Sequence, residues 1–370
     1  MSYHDILKEY SQFDLESAFT AADESGLCGA LGGERVGEKG LIALLSPYAA
    51  AHLERIAQKA HRITLKHFGR TIQLYTPIYV SNYCQNRCLY CGFNSSSDIP
   101  RKKLTLIQVE KEASFISSTG LRHVLLLTGG SRKESPVSYI IDCLRVLRRY
   151  FSSISVEIYS LEEEEYALLI KEGVDGLTIY QETYQEDIYR KVHPSGPKRD
   201  YRFRLDAPER ALRKGMRAVN IGALLGLAPW RRDVFLMALH ARYLCEKFPE
   251  AEVGVSLPRL RPTAGGFRAA HPVSDRDIAQ VVMAMRLFLP RQGITISTRE
   301  EPSFRENLMP LGVTRISAGS TTSVGGHTQS KGEDIMDMQF RISDERDVAQ
   351  IREMLRAKGY QAVLQDWMTV

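Results

Sequence analysis

Cys84, Cys88 and Cys91 stand in one short stretch, SNYCQNRCLYCGF (residues 81–93), at a Cx3Cx2C spacing. Thiolates are soft ligands and nucleophiles, so three this close together point to a metal centre or to redox chemistry. A structural zinc site takes four Cys or His ligands, and no second CxxC or HxxxH pair follows downstream. A redox dithiol needs only the CxxC pair and leaves Cys84 without a role. A [4Fe–4S] cluster is held by thiolates, ordinarily four. With three, one iron keeps a free coordination position for a substrate or cofactor, as a catalytic zinc does. This reading uses all three cysteines.

The remaining cysteines read differently. Cys143 and Cys245 lie in the helical patterns IIDCLRVLRRY and MALHARYLCEKF, where a buried inert thiol is expected. Cys28, in the Gly-rich SGLCGALGG, reads as a loop thiol. Six cysteines in 370 residues do not make a disulfide scaffold. A composition of 44% apolar and 25% charged residues supports a large core. The net charge of +5 comes without a dense Lys/Arg block, which argues against nucleic acid as a partner. No apolar run is long enough to span a bilayer, and MSYHDILKEYSQFD is too polar for a secretory signal. No membrane association and a cytoplasmic location are therefore expected.

Chemistry at a cysteine loop needs a scaffold, and the downstream pattern supplies one. Short β-branched or apolar runs recur: TPIYVSN (76–82), HVLLLT (123–128), ISVEIY (154–159) and GLTIYQ (176–181). AVNIGALL (218–225), EVGVSLP (252–258), GITISTR (293–299) and TRISAGS (314–320) follow. Amphipathic stretches such as LTLIQVEKEASFISSTG and SDRDIAQVVMAMRLFLPRQG separate them, the weakest being PSFRENLMPLG. Eight alternations predict an α/β protein with a (β/α)8 TIM barrel over 71–320, whose chemistry sits at the C-terminal strand ends. Those ends carry Thr128-Gly129-Gly130, Glu157 and Tyr159, Tyr180-Gln181-Glu182-Thr183, Pro258-Arg259, Thr298-Arg299-Glu300, and Ser317. Residues 1–70 read as a helical extension in which LLSPYAAAHLERIAQKAHRITLKHFG forms one helix from Ser46-Pro47. Residues 321–370 read as a polar, Gly-rich loop, SVGGHTQSKGED, and a closing helix capped from Ser343.

An aromatic residue before the last cysteine, here Tyr90, makes the cysteine loop resemble that of the radical S-adenosylmethionine (SAM) enzymes. Longer stretches resemble their aromatic amino acid lyase family, above all its 2-iminoacetate-forming tyrosine lyases. These include HFGRTIQLYTPIYVSNYC, YCGF, YQETY, RLDAPERA, GALLGLAPWR, VSLPRLRPTAGG, STREEPSFRENLMPL, ISAGS and KGYQAVLQDW, which together run through nearly the whole chain. The resemblance implies a radical SAM barrel, a [4Fe–4S] cluster on Cys84, Cys88 and Cys91, and SAM on its open iron. It also implies cleavage of the Cα–Cβ bond of L-tyrosine to p-cresol and 2-iminoacetate (dehydroglycine). A thiazole synthase would use the product, and a flavodoxin or ferredoxin would donate the electron.

By the same resemblance Arg299 and Ser317 bind the substrate carboxylate, and Tyr79 orients the amine. Thr128, Gly129 and Gly130 bind the methionine of SAM, Tyr90 and Phe93 flank its adenine, and Glu157 and Arg259 take ribose and carboxylate contacts. An ion pair at the barrel rim is the alternative for the last two. No side chain is implied as a classical acid or base. His193 is explained by loop organisation as well as by catalysis, His271 and His327 read as solvated, and Asp233 as a helix-start residue.

The chain departs from that family at Val324-Gly325-Gly326-His327, where Pro-Gly-Gly-Tyr is expected, and at its final DWMTV. A pocket roofed by the 324–327 loop would bear on which aromatic amino acid fits. A related lyase of [FeFe]-hydrogenase maturation carries a second cysteine motif near its C-terminus, and no cysteine follows Cys245 here. A tryptophan lyase type of enzyme, and a non-catalytic iron–sulfur scaffold, are the other readings.

Overall fold

A computed structural model describes residues 2–261, 266–328 and 337–366. Eight parallel strands run in ladder order β1 to β8: Thr71–Ser81, His123–Thr128, Ser153–Glu157, Gly176–Glu182, Ala218–Ala223, Glu252–Ser256, Ile294–Ile296 and Arg315–Ser317. β1 pairs with both β2 and β8, which closes the sheet into a barrel. Closure pairs each of the eight strands on both sides and sets the strand C-termini around one mouth.

Six helices precede the barrel: α1 (Tyr3–Ser11), α2 (Leu15–Thr20), α3 (Glu24–Gly32), α4 (Glu38–Leu45), α5 (Pro47–Ala50) and α6 (Leu53–Phe68). Around it lie α7 (Leu106–Ser118), α8 (Val137–Leu147), α9 (Glu163–Lys171), α10 (Glu186–Val192), α11 (Tyr201–Leu205) and α12 (Ala207–Arg213). α13 (Trp230–Lys247), α14 (Asp275–Phe288), α15 (Pro302–Leu308) and α16 (Val348–Ala357) complete the set. α7 starts at Thr105 and α14 at Ser274, each through a reciprocal capping box with the residue three positions on. One apolar core runs from Tyr3 to Leu355, so the N-terminal helices and the closing helix share it with the barrel.

Four local expectations change. The stretch from Ser46 forms two helices, because Ala51 and His52 donate back to Tyr48 and Ala49 in tighter three-residue turns. Cys28 lies on α3, not in a loop: Asp23 caps that helix and offsets its glycines. α16 begins after Asp347, not Ser343, because Asp344 is drawn into ion pairs with Arg305 and Arg346. A ninth strand, β9 (Gln361–Val363), adds in parallel to the start of β1. Asp366 follows it and pairs with Arg217 at 2.6 Å and Arg315 at 3.1 Å, closing the N-terminal end of the barrel.

Candidate active site

The loop leaving β1 brings Cys84, Cys88 and Cys91 to a cavity of about 180 Å³ at the C-terminal mouth. Burial pushes the Cys88 thiol up to about 12 and the Cys91 thiol up to about 11. Such thiols stay protonated near neutrality until a cationic centre displaces the proton. N–H donors already face the sulfurs. The Asn86 backbone N–H donates to Cys84 Sγ at 3.4 Å, and Gln339 Nε2 donates to Cys91 Sγ at 3.8 Å. Gly130 gives this loop its room: a Cβ there would stand 2.3 Å from Asn86 Nδ2 and 3.5 Å from Cys84 Sγ. Among the described residues, no three His, Cys, Asp or Glu converge on a point suited to a single ion. Three sulfurs spread around one cavity suit a cubane instead, whose thiolates bind different irons. The donor set therefore fits a [4Fe–4S] cluster.

A charged wall faces the cysteines. β1 and β4 each carry an irregularity in register at their C-terminal ends, the usual place for a bulge that re-aims a side chain. Past the one in β4, Glu182 takes a left-handed backbone at φ 72°. Its carboxylate meets Lys198 at 2.5 Å and Arg204 at 3.7 Å. Burial alone would raise the Glu182 pKa, but these two cations outweigh it and hold the carboxyl below its ordinary value. Lys198 Nζ also stands 5.6 Å from the Tyr90 ring centre. Tyr90 bonds His193 Nε2 at 2.7 Å, and His193 Nδ1 reaches the Tyr189 carbonyl at 2.8 Å. Burial pushes His193 down to about 3, so the ring stays neutral, with Nδ1–H donating and Nε2 accepting.

A smaller chamber, about 60 Å³, lies against the inner side of this cavity. Glu157, Tyr180, Pro258, Arg299, Gln339 and Phe340 front both spaces. Tyr79 and Ser317 front only the inner one. Tyr79 donates to Gln339 Oε1 at 2.8 Å, and the Ser317 hydroxyl accepts the Thr298 N–H at 3.0 Å and is hydrogen-bonded to the Tyr75 side chain. The Arg299 guanidinium stacks 3.3 Å over Phe340 and makes no ion pair among the described residues, so its fork of donors is available to an anion. Burial, then the nearby Glu182, raises the Glu157 carboxyl to about 7. The roof over both spaces, residues 337–340, is held from below. Gly92 N–H donates to the Gln339 carbonyl at 3.0 Å, Lys102 meets Asp337 at 2.9 Å, and Thr322 bonds the Phe340 carbonyl at 2.8 Å.

The two residue sets named from sequence lie in adjoining spaces, with Glu157 and Arg299 fronting both. Tyr90, Phe93, Thr128, Gly129, Gly130 and Glu157 gather with the cysteines, and Thr128 Oγ1 is buried there without a partner. Arg259 is the exception. Its guanidinium is committed to Glu300, to Asp275 at 2.8 Å and to the Val273 carbonyl at 3.0 Å, and Arg261 fronts the cavity in its place. The ion-pair alternative describes Arg259, with Glu300 as its partner, not Glu157.

The 324–327 loop fronts neither space. Gly325 N–H donates to the Tyr79 carbonyl at 3.2 Å, and His327 Nε2 bonds the Pro77 carbonyl at 2.8 Å, so the loop braces the outer side of β1. His327 is a half-buried bracing residue, not a solvated one. Residues 329–336 of the Gly-rich stretch, 262–265 of PRLRPTAGG and the last four residues lie outside the described residues. Asp233 does start α13, yet it is fully buried and accepts from Thr183 Oγ1 at 3.0 Å and Tyr184 N–H at 2.9 Å, fixing the YQETY turn. Sequence reasoning gave no role to Asn86, Lys198, Arg204, Gln339 or Phe340. Lys198 had a faint signal in the conspicuous HPSGPKRDY, whereas Gln339 had none.

Comparison with known proteins agrees with this geometry. The radical SAM superfamily matches residues 78–236, and the biotin and thiamin synthesis associated domain matches residues 256–361. The chain is 39% identical over 349 residues to 2-iminoacetate synthase of Salmonella typhimurium, covering 94% of this chain and 91% of that one. The Escherichia coli 2-iminoacetate synthase is matched to the same extent, at 39% over 349 residues. Among solved structures, HydG, a maturase of the [FeFe]-hydrogenase, aligns with a TM-score of 0.86 at 30% identity, covering 98% of this chain and 79% of that one.

Proposed function

The chain belongs to the radical SAM superfamily, in the family of the 2-iminoacetate synthases, and from that premise we propose that it cleaves the Cα–Cβ bond of L-tyrosine. The products are p-cresol and 2-iminoacetate. The observation that carries this reading is Arg299, a half-buried guanidinium with no ion pair among the described residues, in the wall between the cysteine cavity and the inner chamber. An amino acid whose carboxylate sits on Arg299 presents its amino group at the boundary of the two spaces. When bound, the cluster and SAM would supply the hydrogen-atom abstraction chemistry for that amino group.

The chain's own residues bind, orient and exclude. Cys84, Cys88 and Cys91 would hold the cluster. Thr128 and the backbone of Gly129 and Gly130 would receive the methionine end of SAM, with Tyr90 and Phe93 toward its adenine and Glu157 toward its ribose. In the inner chamber Arg299 supplies a planar fork to the substrate carboxylate, and Ser317 donates its hydroxyl to the same group by turning from Tyr75. Tyr79, hydrogen-bonded to Gln339, turns the amine toward the upper cavity. The 337–340 roof keeps water from a reactive intermediate. 2-Iminoacetate is an imine that water hydrolyses, so a thiazole synthase that consumes it belongs close by, and a flavodoxin or ferredoxin supplies the electron.

Anaerobic reconstitution with iron, sulfide, SAM, a reductant and L-tyrosine, followed by mass spectrometry, tests the reading. p-Cresol together with glyoxylate, the hydrolysis product of 2-iminoacetate, is expected. 5′-Deoxyadenosine without p-cresol, or products from L-tryptophan alone, would overturn tyrosine as the substrate.

A further inference from the structure

The inside of a (β/α)8 barrel is ordinarily filled by branched apolar side chains. Here the floor of the inner chamber is polar and incompletely filled. A further cavity of about 30 Å³ continues below it and shares Tyr75, Leu125, Tyr180 and Thr295 with the chamber. Gly222 and Gly254 leave the space for two polar neighbours: a Cβ on Gly222 would stand 2.8 Å from the Tyr180 ring, and one on Gly254 3.1 Å from Asn220 Oδ1.

Ser256 fronts the chamber and Asn220 the cavity beneath it. Asn220 Nδ2 donates to Ser256 Oγ at 2.7 Å. Asn220 Oδ1 is buried and has no partner among the described residues. The Ser256 hydroxyl is in turn hydrogen-bonded to the Tyr180 side chain. Tyr180, Gly222, Ser256 and Thr295 are successive partners across the ladder and so form one row inside the barrel. That row lies below the carboxylate clamp: Thr295 precedes Arg299 by four residues and pairs with Arg315, two residues before Ser317.

A buried acceptor without a partner costs about 1–3 kcal/mol. Beneath a substrate chamber, such a group is explained by a ligand that satisfies it. Taking L-tyrosine on Arg299 and Ser317 as the substrate, we propose that its ring points down the barrel axis and that Ser256, Tyr180 and Asn220 receive its phenol hydroxyl. The phenol O–H donates to Asn220 Oδ1, and its oxygen accepts from the Tyr180 hydroxyl, which Ser256 holds in place. These three residues then select the side chain, while Arg299 and Ser317 hold the amino acid head common to all candidates. L-Phenylalanine leaves Asn220 Oδ1 without its donor, and a site built to hydrogen-bond a hydroxyl rejects such an analogue strongly.

The test measures the affinities of L-tyrosine, L-phenylalanine and L-tryptophan for the reconstituted, SAM-loaded protein and for its Asn220→Ala and Ser256→Ala variants. The unaltered protein should hold tyrosine at least about 100-fold tighter than phenylalanine. Each variant should lower that ratio at least about 10-fold. Phenylalanine affinity, SAM affinity and iron content should stay within about 2-fold, which a general loss of structure would not allow. Ser256→Ala carries the test alone if Asn220→Ala does not fold. A ratio unchanged in the variants, with p-cresol still formed by the unaltered protein, would overturn the phenol site and leave the tyrosine reading standing. Absence of p-cresol, with tryptophan bound tighter than tyrosine, would overturn the substrate reading itself.

Discussion

The cavity around the cysteines draws its side chains mainly from loops, whereas the chamber beneath it draws them from inward positions of many strands. Cys84, Cys88, Cys91, Tyr90 and Phe93 come from ten consecutive residues. Tyr79, Ser256, Arg299 and Ser317 come from four elements spread over more than 200 residues. The upper space has a local code that survives as a motif. The lower one exists only after the barrel closes, so its chemistry depends on strand register and on the roof that joins the two. Arg299, Glu157 and the 337–340 roof belong to both.

The comparison breaks most completely if the cysteines are not its basis. Cys84→Ala, Cys88→Ala or Cys91→Ala should each abolish the cluster's visible absorption and all SAM cleavage, while Cys143→Ala and Cys245→Ala keep both. SAM cleavage persisting in Cys88→Ala would remove the reason for distinguishing the upper space.

The next largest effect separates the two spaces. Arg299→Ala should lower tyrosine-dependent kcat/KM by about 100-fold, as expected when a charged partner of a buried carboxylate is lost. Binding of SAM to the reconstituted protein should change little. Equal loss of SAM binding would place Arg299 in the upper site.

The roof should affect both spaces at once. A Cβ on Gly92 would lie 2.5 Å from the Met338 carbonyl oxygen and 2.7 Å from that of Gln339. Gly92→Ala should therefore lower both SAM and tyrosine affinity and cost about 1–3 kcal/mol in stability, read by binding and by denaturant unfolding. Loss confined to one ligand would show that the roof serves only that space.

The smallest effect is a pH dependence at Glu157. The folded carboxyl titrates at about 7 against an ordinary 4.5. Its folded pKa is raised, so the folded protein holds the extra proton between those values. The associated stability is present below about 4.5 and is lost as pH rises through about 7. The loss is at most about 3 kcal/mol, because the carboxyl opens on a cavity and is not packed within protein. Glu157→Gln should flatten this part of the apo-protein's stability profile, with Asp233 and Asp175, raised to about 7 and about 6, still contributing the same sign. An unaltered slope would mean that Glu157 is well solvated.

The sequence made much of the barrel legible because period-two apolar runs bounded by Gly and polar turns mark strands directly. HVLLLT matches β2 residue for residue, and GLTIYQ stops one residue short of β4. GITISTR and TRISAGS overran, since β7 and β8 leave the ladder after three residues, Arg299 lying in the loop after β7 and Ser317 ending β8. Arg259 misled because a strand-end arginine has the same signature whether it faces a ligand or a carboxylate such as Glu300 across the rim. Gln339 and Phe340 were illegible for another reason. Nothing local distinguishes them, and their place over the cavity is set by Gly92 and Thr322, far away in sequence. Likewise, no pattern marks Asn220 and Ser256 as neighbours until β5 and β6 pair.

The most direct measurement is an anaerobic crystal structure of the reconstituted protein with SAM and L-tyrosine. The account predicts the cluster and SAM among Cys84, Cys88, Cys91 and Gly130, and tyrosine in the inner chamber with its carboxylate on Arg299 and Ser317. Tyrosine bound outside that chamber, or Arg299 turned away from its carboxylate, would contradict it.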